Sequence, residues 1–338
     1  MDSQAQHTAT VTGYNGTLSG ALTIPSFHTV GPNTYQVVGI GANALLGQTG
    51  LTSLTIADTV ISMGASAFQG CTALTDVTLS KSLTGIGASA FSGCNQLTGI
   101  AIPNSVTSVG SSAFNGCTSL TSLTIGNHVT SIGASAFFQC PVQGSVTIPA
   151  SVTSIGNNAF SQAGALTSAV FVGNAPTMGS GVFFQTAGGF TVYYFDGAAG
   201  FTSPSWTDIS GDTYPAVDMG AFSPIKPWLI SYGFAYNTDP ASDPNNDGVN
   251  LLVAYALNLN PFLNLAGSLP EPVQTPGQLS FTFYGKSAGV TYTMETSTDL
   301  VNWTKNGISL AGPDANGFFT ATIPNTPPSG FLHLKIVY

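Results

Sequence analysis

Between residues 45 and 183 the apolar positions return with a period of 23. Phe68, Phe91, Phe114, Phe137, Phe160 and Phe183 hold one column, and Leu45 fills the same slot one period earlier. Gly64, Gly87, Gly110, Gly133, Gly156 and Gly179 keep step with them, as do Ile56, Leu79, Ile102, Ile125, Ile148 and Phe171, and Cys71, Cys94, Cys117 and Cys140. A unit this short cannot bury an apolar face alone. Stacked copies place like on like and close a shared core, so the period predicts a solenoid.

Within a unit, Leu74, Val77 and Leu79 are spaced as a short strand with one face buried, and the same spacing recurs at Leu97, Ile100, Ile102 and at Leu120, Leu123, Ile125. A turn follows, Pro103-Asn104-Ser105 in one coil and Pro149-Ala150-Ser151 in another, then a second apolar segment such as Val106 to Val109, closed by Gly110. Ser112-Ala113-Phe114 is too short for a full α-helix and reads as a helical or 3₁₀ turn that drives Phe into the core.

The spacing Leu-x-x-Leu-x-Leu is that of leucine-rich repeats. More specifically, Ala90-Phe91-Ser92-Gly93-Cys94-Asn95-Gln96-Leu97 and Ile102-Pro103-Asn104-Ser105-Val106-Thr107-Ser108-Val109-Gly110 resemble the BspA-type leucine-rich repeats of bacterial surface proteins. The resemblance covers about residues 10 to 207, with about seven coils. It implies a secreted or surface-attached bacterial protein whose role is adhesion to protein, matrix or glycan, without catalysis.

The pattern divides the chain further. Residues 1–38 read as an N-terminal cap, in which Ala21 to Ser26 repeats the Leu-Thr-Ile-Pro phrase before an insertion, Phe27 to Tyr35; residues 39–207 are the repeats, which decay where Pro176 and Met178 interrupt the columns. Residues 208–224, rich in Gly, Pro and Asp, read as a linker. In 225–265 a helix near Lys226 to Tyr232 and another over Val249 to Leu259 flank an Asp-rich loop. Residues 266–338 alternate strictly at Leu279 to Phe283, Val290 to Met294 and Leu332 to Ile336, which predicts a β-sandwich. The fold class is therefore mainly β.

Composition narrows the function. Only 6% of residues are charged, the five basic residues are all Lys, and the net charge is −9. A chain without Arg and with this balance lacks the basic footprint that nucleic acid requires, and it is equally unsuited to anionic membranes. No apolar run is long enough to span a bilayer. Met1 to Gln6 is polar and shows no leader, so an extracellular or cell-surface location is read from family and composition.

Candidate chemistry is sparse. In Asp243-Pro-Asn245-Asn-Asp247-Gly248-Val249, oxygens at loop positions 1, 3 and 5, Gly at 6 and the Val249 carbonyl at 7 reproduce the first half of an EF-hand or dockerin calcium loop. Leu251 and Ala254 stand where the shell is usually completed, and Asp239 could substitute; the alternative is a turn in which Asp and Asn bond their own backbone. The cysteines, one per coil at strand spacing, fit buried free thiols better than disulfides or zinc. His7, His28, His128 and His333 are isolated, and no hydrolase, zinc-protease or phosphate-loop motif occurs. The expected working surface is instead the row Thr75, Asp76, Thr78, Thr98, Gly99, Thr121, Ser122 and Thr124, which alternates outward from the buried column. Self-assembly through an unpaired terminal strand, Phe331 to Tyr338, is the alternative.

Overall fold

The protein is described from a computed structural model over residues 8–14, 16–246, 249–257, 259, 261, 269–270, 273–275, 278–285, 287, 290–297, 304–305, 308–324 and 331–337. Two compact units divide the chain, Met1–Phe222 and Ser223–Tyr338.

The first unit is the solenoid. On one side lie strands Ser19–Ile24, Gly50–Ile56, Asp76–Thr78, Gly99–Ala101, Ser122–Thr124, Gly144–Ile148, Leu166–Phe171, Thr191–Tyr194 and Thr213–Asp218. Within three sheets these strands pair in parallel, in step with the repeat where Ile100 stands opposite Leu123 and Val77 opposite Leu54. A second side carries two-residue strands from Ser62–Met63 to Thr177–Met178, of which Gly85–Ile86, Ser108–Val109, Ser131–Ile132, Ser154–Ile155 and Thr177–Met178 form one parallel sheet.

The third side differs from the helical turn expected of Ser112-Ala113-Phe114. Ser66, Ser89, Ser112 and Ser135 all take left-handed φ values of 55° to 57°. This lets amides alternate between two tasks: Ser112, Phe114 and Gly116 donate to Ala134, Ala136 and Phe138 of the next coil at 2.8, 2.8 and 2.9 Å, while Ala113, Asn115 and Cys117 close local turns. The segment is thus a further ladder between coils, and its backbone groups are satisfied without a helix.

Packing explains the columns. Phe68, Phe91, Phe114 and Phe137 are fully buried, and consecutive rings from Phe68 to Phe160 lie 5.2 to 5.3 Å apart, tilted by 12° or less. The glycine column marks where coils come closest. A Cβ on Gly110 would lie 2.5 Å from the Ala88 amide nitrogen and 2.7 Å from the Gly87 carbonyl carbon, so no larger residue fits.

Both ends depart from the repeat. At the start, the insertion forms a hairpin, Phe27–Val30 against Asn33–Ile40, and Thr8–Val11 pairs in parallel with the latter. At the far end the expected linker is replaced by structure: Thr213–Asp218 pairs in parallel with Thr191–Tyr194 and antiparallel with Ser205–Thr207. The reason is burial, since Tyr214 and Ala216 alternate inward, 9% and 1% exposed. Tyr214 joins Phe171, Phe183, Phe190, Phe201 and Trp206 in an aromatic plug over the last coil. Trp206 Nε1 donates to the Gly200 carbonyl at 2.7 Å.

The second unit opens with two short helices, Ile225–Ser231 and Leu251–Ala256, the latter capped by the Asn250 side chain, which accepts from the Val253 amide at 2.9 Å. Four strands follow in one antiparallel sheet, Val273–Thr275, Gln278–Tyr284, Phe318–Pro324 and Ser309–Ala311, and two in another, Thr291–Ser297 and Phe331–Val337. Phe281 and Phe283 from the first sheet and Met294, Leu334 and Ile336 from the second share one apolar cluster.

Candidate functional site

The sequence offered a row of outward hydroxyls as the working surface, and the structure sorts them into two classes. Thr75, Thr98 and Thr121 donate back to the carbonyls of Thr52, Thr75 and Thr98 at 3.0, 3.4 and 3.2 Å. Their protons are used between coils and are not offered outward. Asp76, Thr78, Ser122 and Thr124 remain exposed on the same face.

Similar ladders run elsewhere. Thr84, Thr107, Thr130 and Thr153 each donate to the carbonyl 23 residues earlier at 2.9 to 3.1 Å. Ser105 and Ser151 donate to Leu83 and Val129 at 2.7 Å, and the Asn104 carboxamide accepts the Asn127 amide at 2.8 Å. Much of the polar surface is therefore the scaffold's own bonding. Sequence periodicity showed the columns but carried no sign of which hydroxyls were engaged.

One feature was missed in sequence. Across the two-residue strands runs an open groove of about 450 Å³, lined by Ser108, Ser131, Ser154 and Thr177 together with Gly110, Gly133, Gly156 and Gly179. No side chain lining it carries charge. Its lining comes from four successive coils, which lie side by side only once the coils stack.

The cysteines are free and fully buried, as expected. Cys71, Cys94, Cys117 and Cys140 donate Sγ–H to the carbonyls of Leu45, Phe68, Phe91 and Phe114 at 3.1 to 3.3 Å. Burial pushes the Cys71 thiol up to about 11 and raises that of Cys94; Cys117 is raised by its hydrogen bond to Cys140 and then by burial. Such thiols are poor nucleophiles and poor metal ligands.

In the Asp-rich loop, Asp239 accepts the Ala241 amide at 2.9 Å through Oδ1, and its carbonyl accepts the Ser242 hydroxyl at 2.6 Å. That is the turn chemistry of a short acidic side chain. Asp243 is half-buried, Asn245 exposed and Val249 buried among Trp228, Val253 and Ala254; Asp247 lies outside the described residues. Among the described residues, no three His, Cys, Asp or Glu side chains converge as a metal site. The exposed His28 and His128 are likewise not gathered with other ligating groups.

Comparison with known proteins agrees with this geometry. Residues 38–167 match the BspA type leucine rich repeat region in six copies. A leucine rich cell surface protein of Faecalibacterium prausnitzii A2-165 is 32% identical, with a TM-score of 0.54, over 65% of this chain and 60% of that one. This chain thus spans about 60% of that relative's length. The T. pallidum Leucine Rich Repeat protein is 32% identical over 49% of this chain and 75% of that one, at a TM-score of 0.44, too low for its shape to weigh. Among curated proteins, none matches. Among the described residues, no helix is long and apolar enough to cross a membrane.

Proposed function

We propose that this chain is a non-enzymatic protein of the bacterial cell surface that holds an uncharged protein or glycan segment in the groove across its two-residue strands. The observation that carries this reading is the groove itself, an uncharged surface that offers a hydroxyl at each coil. The similarity to a leucine rich cell surface protein supports the location. The test is binding to arrays of glycans and matrix proteins by wild type, by Ser131→Arg/Ser154→Arg in the groove, and by Thr78→Arg/Thr124→Arg on the long-strand face. The groove pair should lose binding with an unchanged melting temperature. Loss only in the second pair would move the site to the long-strand face, and no binding by wild type would sink the reading.

Self-association is favoured by a different feature. Strand Ser19–Ile24 stands at the end of its sheet, pairs with Gly50–Ile56 and carries no charged residue, so its outer edge lacks the usual guards against strand addition. The terminal strand Phe331–Val337 pairs in cis with Thr291–Ser297 over seven residues in a two-stranded sheet, which engages one of its two edges. Sedimentation at high concentration with Ala21→Lys decides; a wild type that stays monomeric removes the idea.

For the Asp-rich loop we propose weak calcium binding by Asp239, Asp243, Asn245, Asp247 and the Val249 carbonyl, with Kd about 10⁻⁴ to 10⁻³ M as in extracellular modules. Calorimetry that shows no heat at several millimolar calcium, in wild type as in Asp243→Ala, leaves only the turn.

A further inference from the structure

The loop Asp208 to Asp212 joins Ser205–Thr207 to Thr213–Asp218 and docks on the last coil. Ser210 Oγ donates to the Met178 carbonyl at 2.8 Å, and Asp212 Oδ2 accepts the Gly181 amide at 2.6 Å. At its root Asp208 is 5% exposed, and Oδ1 accepts the amides of Ser210 and Asp212 at 2.9 and 3.1 Å. The other oxygen, Oδ2, is sealed from solvent and has no hydrogen-bond partner.

An ionised carboxylate in that position leaves a buried charge unpaired, which is among the costliest arrangements in a folded chain. Its titrating neighbours are Asp212, of the same sign in the same loop, and Tyr214 on the following strand; the facing coil, 177–183, contributes a carbonyl and an amide but no titrating side chain. Hydrogen bonds from the Asp212 and Ser210 amides favour the charged form, but burial outweighs them and holds the Asp208 carboxyl above the ordinary carboxylate range. Tyr214 is raised in turn by burial and then by Asp212 and Asp208.

We propose that Asp208 is a proton-operated latch on the C-terminal cap of the solenoid: protonated, it lets the loop seat on the last coil, and ionised, it loosens the loop. The sign follows from linkage. An acid whose folded pKa is raised holds its proton more tightly folded than unfolded, so its cost is absent below the unfolded value, about 4, grows as pH rises, and is complete above the folded value.

The measurement is the melting temperature of the full chain from pH 4 to 8 for wild type and Asp208→Asn, which keeps an Oδ1 acceptor without charge. The variant should melt higher than wild type at pH 8, with the gap closing towards pH 4. A gap that is constant across pH, or absent, overturns the latch. Should the variant not fold, amide exchange of wild type serves: protection of the Gly181 amide, corrected for the intrinsic pH dependence of exchange, should fall from pH 4.5 to 7.5, and a flat profile would count against it.

Discussion

In the solenoid Phe114 packs between copies of itself, 5.3 Å from Phe91 and 5.3 Å from Phe137 at tilts of 5° and 3°. In the C-terminal unit Phe283 packs among Phe281, Tyr292 and Phe319, each 5.9 Å away, at 37°, 31° and 15°. Both rings are buried to within 1%. The first core is made by translation, so each position is solved once and repeated; the second joins unlike elements, so each contact is solved separately. It follows that a residue in the solenoid is constrained by its counterpart 23 positions away, and one in the C-terminal unit by whatever the chain brings back to it.

The largest effect should come from emptying either core. Phe114→Ala and Phe283→Ala should each cost about 3–5 kcal/mol. In denaturant melts followed by amide exchange, Phe114→Ala should lower the protection of residues 8–222 and spare the C-terminal unit, with the reverse for Phe283→Ala. Equal loss throughout the chain in both variants would erase the distinction between the two cores.

A smaller loss sharpens the argument from translation. Gly110→Ala adds one methyl where two backbones meet, and by overpacking should cost about 1–3 kcal/mol; Gly47→Ala meets open space but has a φ of 68°, so its cost is backbone strain alone, about 1 kcal/mol. Denaturation midpoints that rank the two in the opposite order would show that coil spacing can relax at that column.

The thiol column gives a kinetic version of the same test. At pH 8 a thiol with pKa about 11, such as Cys71, is about one part in a thousand thiolate. All four cysteines are fully buried, so native protein should leave them unlabelled by a thiol reagent over hours, and unfolding should release them together. Rapid native labelling of one cysteine would mean that its coil opens alone.

The least effect is expected at the exposed ladder. Thr107→Val removes the hydroxyl that donates to the Thr84 carbonyl at 3.0 Å and should cost no more than about 1 kcal/mol, because that carbonyl can turn to water. A cost as large as that of Gly110→Ala would make the hydroxyl columns structural on a par with the core.

These differences also explain what could be read from residues alone. Columns at Phe114, Gly110 and Ile102 are translational, and a period survives in sequence whatever the local geometry. Left-handed Ser112 did not show, because a lone serine carries no mark of its φ and the segment looked like a helical turn. Thr213–Asp218 was hidden by its Gly, Pro and Asp neighbours, although Tyr214 and Ala216 alternate as a strand should. The groove is lined by residues of four successive coils, which come together only when coils are stacked. Asp208 was invisible as a special residue, since the loop that carries it is docked by Ser210 on Met178 and by Asp212 on Gly181, some thirty positions earlier.

The interchangeability of the coils bears on how such a chain changes length. Excising residues 88–110 would join Gly87 to Ser111, setting Phe114 on Phe68, Cys117 on Cys71 and Thr107's successor Thr130 on Thr84, each the same residue type as the neighbour it replaces. The amides of the third side would again find a carbonyl at every rung, since Ser66 and Phe68 now donate to Ala88 and Ala90 and would meet Ser111 and Ala113 instead. A recombination event in register therefore yields a shorter or longer rod whose ends are unaltered, so reach is a quantity that inheritance can adjust in steps of one coil while the fold is kept.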